Sequence, residues 1–252
     1  MRAEFLGVPI DILSMNDTVG IVEDSMSKRR RCQHVALNVA KFVKMRAQPE
    51  LRRDVVESDI IGIDGMGILW ACRLLGVKAN ERVAGIDLFN EIMDLCNRKR
   101  FRPFFLGATD PVLQKMMFNL RRELPDLDIA GWHNGYFKPE DERGVVESIR
   151  RSGADCLFLG LPTPRKERLL ARYRDEFGIP FIMGVGGSFD VLAGAVSRAP
   201  LWMQNAGLEW SYRLYQEPRR MLWRYLSTNI SFANLLAKEL AGRALKSFLW
   251  MV

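Results

Sequence analysis

Asp64 is the acidic residue whose position best suits proton transfer. It directly follows the apolar run Ile60–Ile63 and precedes the turn Gly65-Met66-Gly67. A carboxylate at the end of a buried strand has apolar surroundings on one side and solvent on the other, which suits a general base. The same position also suits an Asx turn or a helix cap, and the spacing alone favours neither. Asp190 follows another glycine turn and has two similar roles open to it, substrate binding or helix capping.

Four glycine turns end apolar runs and are candidates for binding an anionic ligand. Glycine lets the backbone approach a ligand, and the N-terminus of a following helix favours negative charge. None of the turns has the spacing GxGxxG, and none is followed by a Walker A lysine. Each alone is more often a tight turn, but four at one sheet edge would suit a nucleotide diphosphate. The turns are 64–67, 107–110, 160–163 and 184–187, and the glycines expected at the ligand are Gly107, Gly160, Gly184 and Gly186.

Three further features are weaker candidates. Asp126-Leu127-Asp128 resembles the DxD motif of metal-dependent sugar-nucleotide enzymes, but it precedes an apolar run, where alternating acids commonly solvate a strand end. One residue separates His133 from the segment Gly135-Tyr136-Phe137. We interpret this histidine as a loop residue rather than a base or metal ligand. Lys166 lies in the first turn of a predicted helix, where a cation opposes the helix dipole. It therefore suggests a phosphate or a sugar carboxylate nearby.

The composition narrows the class of protein. A chain of 252 residues with 48% apolar content can bury a full core. Its apolar runs are too short to span a bilayer, and we expect no export signal. The four cysteines form no CxxC pair, so we interpret them as reduced core residues of a cytosolic protein. With two histidines and no thiol cluster, we expect neither a metal site nor a cofactor.

The net charge of +7 is concentrated near the C-terminus. Residues 219–252 contain six basic residues and one acidic residue, which is five of the seven net charges. A uniformly basic protein would indicate nucleic acid, and we expect no such partner here. A basic segment rich in aromatic residues favours anionic lipid headgroups or a lipid-linked diphosphate. We therefore expect a cytoplasmic protein that is peripheral on the inner face of the plasma membrane.

Short apolar runs alternate with helix-length amphipathic segments along the first 200 residues. This alternation predicts an α/β fold with a Rossmann-like, mostly parallel sheet and helices on both faces. The pattern stops near Pro200, which predicts a catalytic domain over 1–200 and a helical, basic, membrane-associating appendage over 201–252. Ser14 and Asp17 predict a capping box for a helix that continues to Arg31. The predicted strands are 34–38, 59–64, 104–107, 127–130, 156–161 and 180–185, and the main predicted helices are 85–99, 109–124, 140–151 and 166–177.

The ordered motifs resemble the WecG/TagA/CpsF family of bacterial glycosyltransferases, which act in surface polysaccharide synthesis. The string GVGGSFDVLAG starts at Gly184 and is followed by RAP, GLEW, YRL and EPRR. Upstream, the matching segments are ALNVAKFV with Asn38, DGMG at Asp64, GIDL at Gly85, FFLGA, and GYF with Tyr136. The similarity extends from about residue 5 to residue 225 with order and spacing preserved.

This resemblance implies a metal-independent, inverting transferase on the cytosolic side of the membrane. It would move a hexose or an N-acetylhexosamine from a UDP-sugar donor to an undecaprenyl-diphosphate-linked sugar. Asp64 would take the proton from the acceptor hydroxyl as its oxygen attacks the anomeric carbon. Arg213, Arg220 and Arg224 match arginines of the family's C-terminal appendage, which would close over the diphosphate and contact the membrane. The residues expected to bind substrate, besides the four glycines named above, are Asn38, Tyr136, Lys166 and Asp190.

Two positions depart from the family pattern. Ala36 stands where many members have threonine, and Lys166 stands where they have the glutamine of PKQE. Both positions are expected near the reacting sugars. The two departures therefore bear on which sugar is bound, and they leave the expected class of reaction unchanged. The donor sugar stays open between an acetamido sugar, such as N-acetylmannosamine or its uronic acid, and glucose or a related hexose.

Two other classes of function stay open at this stage. Another nucleotide-dependent enzyme, such as an oxidoreductase, could use the same fold, although the missing GxGxxG disfavours it. A non-catalytic, membrane-associated scaffold would depend on the basic segment alone and would be indifferent to Asp64. A homo-oligomer is compatible with the sequence in all three cases.

Overall fold

Eight strands form one sheet in the computed structural model of the chain, in the order β1-β2-β4-β3-β8-β7-β5-β6. The first two strands are antiparallel, and all other neighbouring pairs are parallel. The structure describes the backbone of residues 1–249, without the side chains of Arg220, Arg224 and residues 244–249. The strands are β1 (Arg2–Phe5), β2 (Val8–Asp11), β3 (Cys32–Leu37), β4 (Ile60–Ile63), β5 (Pro103–Gly107), β6 (Gly131–His133), β7 (Cys156–Gly160) and β8 (Phe181–Gly184).

Twelve α-helices and one 3₁₀ turn, Pro139–Asp141, connect and follow these strands in the described part of the chain. The helices are α1 (Met15–Ser27), α2 (Val39–Ala47), α3 (Pro49–Val56), α4 (Met66–Leu74), α5 (Gly85–Lys99), α6 (Asp110–Glu123), α7 (Glu142–Arg151), α8 (Arg165–Arg172), α9 (Ser188–Leu192), α10 (Leu201–Asn205), α11 (Glu209–Gln216) and α12 (Pro218–Leu249).

Both faces of the sheet are covered, which explains why the inner strands β4, β5, β7 and β8 are continuous apolar runs. Alternate side chains point to opposite faces of a strand, so Phe105 and Phe158 pack with α1, α5, α6 and α9 on one face. Phe104 and Leu157 pack with α7 and α8 on the other face. On that second face, α2, α3 and α4 cover the β4 half of the sheet. The predicted α/β fold with a mostly parallel, doubly covered sheet and a C-terminal helical segment is confirmed.

The predicted strand 127–130 is wrong in its position. The structure forms β6 with a start four residues later, over Gly131–His133, as the outermost strand next to β5. Leu127 does not pair because its backbone N–H donates to the carbonyl of Leu124 in a turn, at 3.1 Å, and its side chain packs under the sheet. The sequence predicts a loop position for His133. This prediction is wrong, because His133 is the last residue of the edge strand β6.

Most other element boundaries agree with the predictions to within a few residues. The helix predicted over 85–99 has these bounds, whereas α8 ends five residues earlier than predicted, at Arg172. The capping box of Ser14 and Asp17 is confirmed, and its helix ends at Ser27. The N-terminal hairpin of β1 and β2 was missed. Its signal is the pair Leu6-Gly7, where both residues have positive φ, as a two-residue hairpin turn requires.

The last helix, α12, packs on the α/β core through its middle. The Phe232 ring lies 5.7 Å from the Phe42 ring and 6.4 Å from the Phe5 ring, and it is only 7% exposed. Further along the helix, the Arg243 guanidinium donates to the carbonyl of Leu75 at 2.8 Å. The division into domains at residue 200 stays a prediction. α12 packs both on α2, which precedes this residue, and on α11, which follows it. No helix in the described part of the chain is long and apolar enough to cross a membrane.

Candidate active site

Five neighbouring strands bring the predicted site residues to one edge of the sheet. Because β4, β3, β8, β7 and β5 are parallel neighbours, the residues that follow them lie in a row along their carboxyl ends. Asp64 follows β4, Asn38 follows β3, and Gly184, Gly160 and Gly107 end β8, β7 and β5. This edge is where ligands bind in open α/β sheets.

Three hydrogen bonds hold Asp64 in place. Its backbone N–H donates to the carbonyl of Leu37 at 3.0 Å, which continues the pairing of β4 with β3 beyond the strand. Its Oδ1 accepts from the backbone N–H of Gly85 at 2.8 Å, and its Oδ2 accepts from Nδ2 of Asn38 at 3.2 Å. Each carboxylate oxygen has two lone pairs and uses one, so the oriented, half-buried group can still accept a proton.

Asn38 has its amide orientation fixed by a second role. It is the N-cap of α2, and its Oδ1 accepts from the backbone N–H of Lys41 at 3.0 Å. The amide nitrogen must then point away from the helix, and it donates to Asp64. A Cβ on Gly65 would lie 3.3 Å from Cβ of Asn38, so the glycine of the turn allows the two strand ends to approach closely.

Gly85 presents the N-terminus of α5 to Asp64. Its N–H has no acceptor within the helix, because it is the first residue of α5, and the carboxylate supplies one. A Cβ built on Gly85 would lie 3.6 Å both from Oδ1 of Asp64 and from Cβ of Ala36. Ala36, where the chain departs from the family pattern, therefore lies near Gly85, the residue that binds the Asp64 carboxylate.

Three of the four predicted glycines are needed for packing between neighbouring turns. A Cβ on Gly107 would lie 2.6 Å from the backbone of Gly160, and one on Gly160 would lie 2.5 Å from the Phe189 ring. A Cβ on Gly184 would lie 2.8 Å from the aliphatic stem of Lys166. Gly186 differs, because it has a φ of +55° and its missing Cβ would point into open space. Contact of these glycines with a ligand stays a prediction.

Tyr136 and Asp190 lie on either side of the Gly107 and Gly160 turns. The backbone N–H of Tyr136 donates to Oδ1 of Asn134 at 3.0 Å, and its ring is exposed. Asp190 lies in the first turn of α9, one residue after the phenylalanine that packs on Gly160. An exposed aromatic ring and a half-buried carboxylate are groups that can contact a nucleoside.

Lys166 belongs to a buried ionic cluster at the same edge. Its Nζ donates to Oγ1 of Thr163 at 2.5 Å and lies 3.1 Å from Oε1 of Glu167. The Nζ of Lys41 lies 3.0 Å from the same carboxylate oxygen, and all three charged side chains are buried. Two ammonium groups therefore share one carboxylate. Glu167 is thus an anionic partner within the chain for the lysine that the sequence placed unfavourably at a helix start.

The charges of this cluster shift each other's proton affinity. Burial and the neighbouring Lys41 lower the pKa of Lys166 to about 8. Burial raises the pKa of Glu167, but Lys41 and Lys166 outweigh this effect and hold the pKa below its usual range. The cluster therefore keeps its carboxylate charged, and Lys166 loses its proton at a lower pH than a solvated lysine does.

Sequence reasoning missed His34, which lies in β3 and is almost fully buried. Neither ring nitrogen has a hydrogen-bond partner among the described residues. Burial and the nearby charge of Lys41 lower the pKa of His34 to about 4, so the ring is neutral at physiological pH. A Cβ on Gly62 would lie 2.7 Å from its Nε2, which explains the glycine in β4. The only signal in the sequence is a histidine inside an apolar run.

Sequence reasoning also missed Arg82, which connects the site to the C-terminal helices. Its Nη1 donates to the backbone carbonyl of Asp64 at 3.4 Å. Its Nη2 donates to the carbonyl of Gln204 at 3.3 Å and to Oε2 of Glu209 at 2.7 Å. One guanidinium thus contacts the end of β4, the end of α10 and the start of α11.

Arg198 extends this connection to α5. It binds both carboxylate oxygens of Asp87, at 2.5 and 2.8 Å, and lies 3.4 Å from Oε1 of Glu209. Asp87 is in the first turn of α5, two residues after the Gly85 that holds Asp64. We call the linked side chains of Arg82, Glu209, Arg198 and Asp87 the ionic bridge. At one end of the bridge, Arg82 binds the backbone of Asp64, and at the other end, Asp87 lies close in sequence to the glycine that binds the Asp64 carboxylate. Its signal in the sequence was the acids within the GLEW and GIDL motifs.

The predicted arginines of the appendage do not all fall within the described side chains. Arg213 is exposed on α11, and the side chains of Arg220 and Arg224 lie outside the described part of the structure. α11 and α12 pack against each other, with the Trp210 and Tyr225 rings 6.1 Å apart. The structure thus places Arg213 on the helix next to the ionic bridge.

The acids of the DxD-like segment lie away from Asp64. Asp126 and Asp128 precede β6, at the opposite edge of the sheet, and lie 4.0 Å from Arg100 and 2.9 Å from Arg102. Within the described residues, no three His, Cys, Asp or Glu side chains are grouped so that they could hold a metal ion. Two surface cavities, one beside Trp132 and one between α2 and α12, contain none of the residues predicted for the site.

Comparison with known proteins identifies the family of the chain. The model of the glycosyl transferase WecG/TagA/CpsF family matches residues 3–246. An N-acetylglucosaminyldiphosphoundecaprenol N-acetyl-beta-D-mannosaminyltransferase of Bacillus spizizenii is 37% identical over 191 residues, which cover 76% of this chain and 73% of the relative. A Bacillus subtilis protein with the same name is 36% identical over 182 residues, which cover 72% and 70%. The resemblance inferred from the motifs is thereby confirmed, and this chain belongs to the WecG/TagA/CpsF family of glycosyltransferases.

Proposed function

We propose that this protein transfers a hexose or an N-acetylhexosamine from a UDP-sugar to a sugar linked through a diphosphate to undecaprenol. The observation that carries the proposal is the Asp64 carboxylate, held at the carboxyl edge of the sheet by Gly85 and Asn38. Membership of the family supports sugar transfer. The acceptor class is taken from the names of the two Bacillus relatives, N-acetylglucosaminyldiphosphoundecaprenol transferases.

Asp64 acts as the general base in this proposal. The acceptor hydroxyl gives its proton to a carboxylate oxygen while the hydroxyl oxygen forms a bond to the anomeric carbon. The bond from that carbon to the UDP oxygen breaks on the opposite face, so a single displacement inverts the configuration. Hydrogen bonds from Asn38 and Gly85 fix the direction of the carboxylate, which lowers the entropic cost of reaching this geometry.

Arginines stabilise the departing diphosphate in place of a metal ion. Guanidinium groups bind phosphate oxygens in bidentate fashion and can neutralise charge that develops on the leaving group. Arg220 and Arg224 are four residues apart in the sequence of α12, and Arg213 is exposed on the neighbouring α11. We propose that these three arginines close over the diphosphate, and that no cofactor takes part.

The nucleoside of the donor binds beside the turns that end β5 and β7. The exposed Tyr136 ring offers a stacking surface, and Asp190 lies next to the Phe189 ring that packs on Gly160. Lys166 and Ala36 lie at the part of the edge that would contact the reacting sugars, and they are the residues that we expect to set the choice of sugar.

The protein acts as a peripheral protein on the inner face of the plasma membrane. α12 carries Leu222, Trp223, Leu226 and Ile230 as exposed apolar side chains, and the segment from residue 219 has a net charge of +5. An amphipathic basic helix of this kind binds the interface of an anionic membrane. This contact would bring the enzyme to an acceptor whose polyprenyl chain is dissolved in the bilayer.

The test of the proposal is Asp64→Asn in a transfer assay with a panel of UDP-sugars and a short-chain lipid-diphosphate acceptor. The variant keeps the shape and most hydrogen bonds but has no basicity, so we expect transfer to fall by about 10²–10⁴-fold. UDP affinity, measured by calorimetry, should stay the same. Activity should also persist in excess EDTA.

The matched control is Asp94→Asn, the same substitution on the exposed side of α5. It should transfer at the wild-type rate. If Asp64→Asn transferred sugar at the wild-type rate, Asp64 would not be the base. If polysaccharide synthesis proceeded equally well with aspartate or asparagine at position 64, the protein would be a scaffold.

A further inference from the structure

α4, the helix that follows Asp64, exposes two large apolar side chains on one side. Trp70 is 50% exposed and Leu74 is 58% exposed, and their spacing of four residues places them on the same helix face. The opposite face of α4 is buried through Ile68, Leu69 and Cys72. Single exposed apolar residues are ordinary on a protein surface. An adjacent pair is unusual when its helix adjoins other exposed apolar side chains, as α4 does.

That larger surface is formed by the C-terminal helices. A Cβ on Gly207, between α10 and α11, would lie 2.7 Å from Cγ of Met66 and 3.3 Å from the Trp70 ring, so α4 packs against this turn. α10 exposes Leu201 and Trp202. Of the fifteen large apolar residues that are exposed in the described part of the chain, ten lie on α4, α10, α11 and α12.

The charge of α4 and its following loop is positive. Residues 65–84 include Arg73 and Lys78, both exposed, together with Arg82 and one acidic residue, Glu81, which accepts a hydrogen bond from the backbone N–H of Met15. The Arg73 guanidinium donates to the carbonyl of Ala79 at 3.1 Å, which holds the loop against the helix. Apolar side chains that include a tryptophan, next to basic residues, are complementary to the headgroup region of an anionic bilayer.

The position of α4 relative to Asp64 favours a bilayer over another occupant. In the proposed reaction, the acceptor sugar is separated from its polyprenyl chain by only a diphosphate, and the chain stays in the membrane. Asp64 must therefore come close to the headgroups. α4 begins two residues after Asp64, and Trp70 is about 6 Å along the helix from Met66.

We propose that α4, through Trp70, Arg73, Leu74 and Lys78, is a docking surface for the anionic lipid bilayer, in addition to α12. This inference rests on the proposed function, which supplies the lipid-linked acceptor. α12 alone is a single line of contact, and the protein could still rotate about the axis of this helix toward or away from the membrane. Two contacts, one of them adjacent to Asp64, fix the orientation so that the carboxyl edge of the sheet faces the headgroups.

The experiment uses the full chain with Trp70→Ser and Leu74→Ser combined. We measure co-sedimentation with vesicles of phosphatidylglycerol and phosphatidylcholine, and with vesicles of phosphatidylcholine alone. The loss of one exposed tryptophan and one exposed leucine should weaken binding to the anionic vesicles by about tenfold. Transfer to an acceptor embedded in those vesicles should fall in parallel, whereas transfer to a water-soluble short-chain acceptor should keep its rate.

The matched control is Phe118→Ser with Trp132→Ser, an exposed apolar pair beside the β6 edge of the sheet. It should bind vesicles as the wild type does. Because Trp70 also packs on Gly207, a second variant, Leu74→Trp, tests the surface without removing that contact. It should strengthen vesicle binding.

The inference is overturned if the α4 variants bind anionic vesicles as the wild type does, or if the two double variants weaken binding equally. A change in oligomeric state without a change in vesicle binding would also overturn it, because α4 would then be an interface between copies of the chain. Failure of the proposed function looks different, since the wild type would then transfer no sugar to either acceptor while vesicle binding still reported on α4.

Discussion

Asn38 and Lys166 show how the hydrogen bonds that a side chain already makes determine which of its donors remain for another partner. The amide of Asn38 has one acceptor and two donors, and capping α2 uses the acceptor, so a donor is left for Asp64. Lys166 has three donors, and Thr163 and Glu167 take two of them. The third donor of Lys166 is what could contact a substrate.

His34 yields a prediction about stability at the residue scale. Its pKa in the folded protein is about 4, below the unfolded value of 6.5, so between these values the unfolded chain binds a proton that the folded chain does not. Stability therefore falls as the pH decreases from 6.5 to 4, by up to about 3 kcal/mol from this residue. His34→Leu should flatten this part of the curve of unfolding free energy against pH, measured by urea denaturation.

The range above pH 6.5 provides the control for this measurement. There His34 is neutral in both the folded and the unfolded chain, so its charge contributes no difference in slope between the wild type and His34→Leu. Parallel curves for the two proteins between pH 6.5 and 4 as well would mean that His34 is protonated in the folded state as readily as in the unfolded chain.

At the scale of elements, the ionic bridge joins α5 and the end of β4 to α10 and α11. Its four side chains are partly exposed, and no one of its pairs would contribute much to stability alone. Its geometric effect is larger, because Glu209 binds two arginines whose other contacts lie on either side of Asp64. The bridge therefore fixes the position of the C-terminal helices relative to the base.

Glu209→Gln should reveal this positioning role. With one charge removed, Arg82 and Arg198 lose their shared anion, and the unfolding free energy should fall by about 1 kcal/mol. Turnover in the transfer assay should fall more than this small change in stability would explain, with UDP affinity unchanged, because α11 and its Arg213 are no longer held beside the site. Glu209→Asp should restore part of the turnover.

Glu239→Gln is the control for the ionic bridge. Glu239 binds Arg243 at 2.9 Å in a pair one turn apart on α12. Its loss should alter neither turnover nor stability measurably. Equal turnover in Glu209→Gln and in the wild type would show that α11 keeps its position without the bridge.

At the scale of the whole molecule, the C-terminal helices are joined to the α/β core by packing as well as by charge. Phe232 lies against Phe5 and Phe42, which bring together the first strand, the second helix and the last helix of the chain. The surface of α12 that we propose for membrane contact is the side that exposes Trp223 and Leu226. One helix thus has a face for the core and a face for lipid.

Phe232→Ala tests the attachment of α12 to the core. The substitution leaves a cavity beside the Phe5 and Phe42 rings, and large-to-small changes of this kind cost about 3–5 kcal/mol. We expect a loss of this size in the unfolding free energy, measured by denaturant titration. Trp223→Ala, on the exposed side of the same helix, should leave stability unchanged and weaken vesicle binding. A negligible cost for Phe232→Ala would mean that α12 is a separable appendage.

Local patterns in the sequence determined the class of fold and the edge of the site. Buried parallel strands must be continuous apolar runs, and turns that need close backbone approach must contain glycine, so β4, β7 and β8 and the turns after them could be located from their residue types. The order of those motifs along the chain also determined the family. Asp64 could be selected because both its residue type and its position after a strand are local properties.

Only the tertiary structure decided which side chains meet. Lys41 and Glu167 share an ion pair across more than a hundred residues of chain, as do Arg82 and Glu209. Residue types limit what such groups can bind, but the fold determines which of them come within 3 Å of each other. The same holds for Phe232 and Phe5, and for β6, whose pairing with β5 begins where the N–H of Ala130 donates to the carbonyl of Pro103. Hydrophobic periodicity is a property of neighbouring residues, whereas these contacts exist only once the strands have taken their order in the sheet.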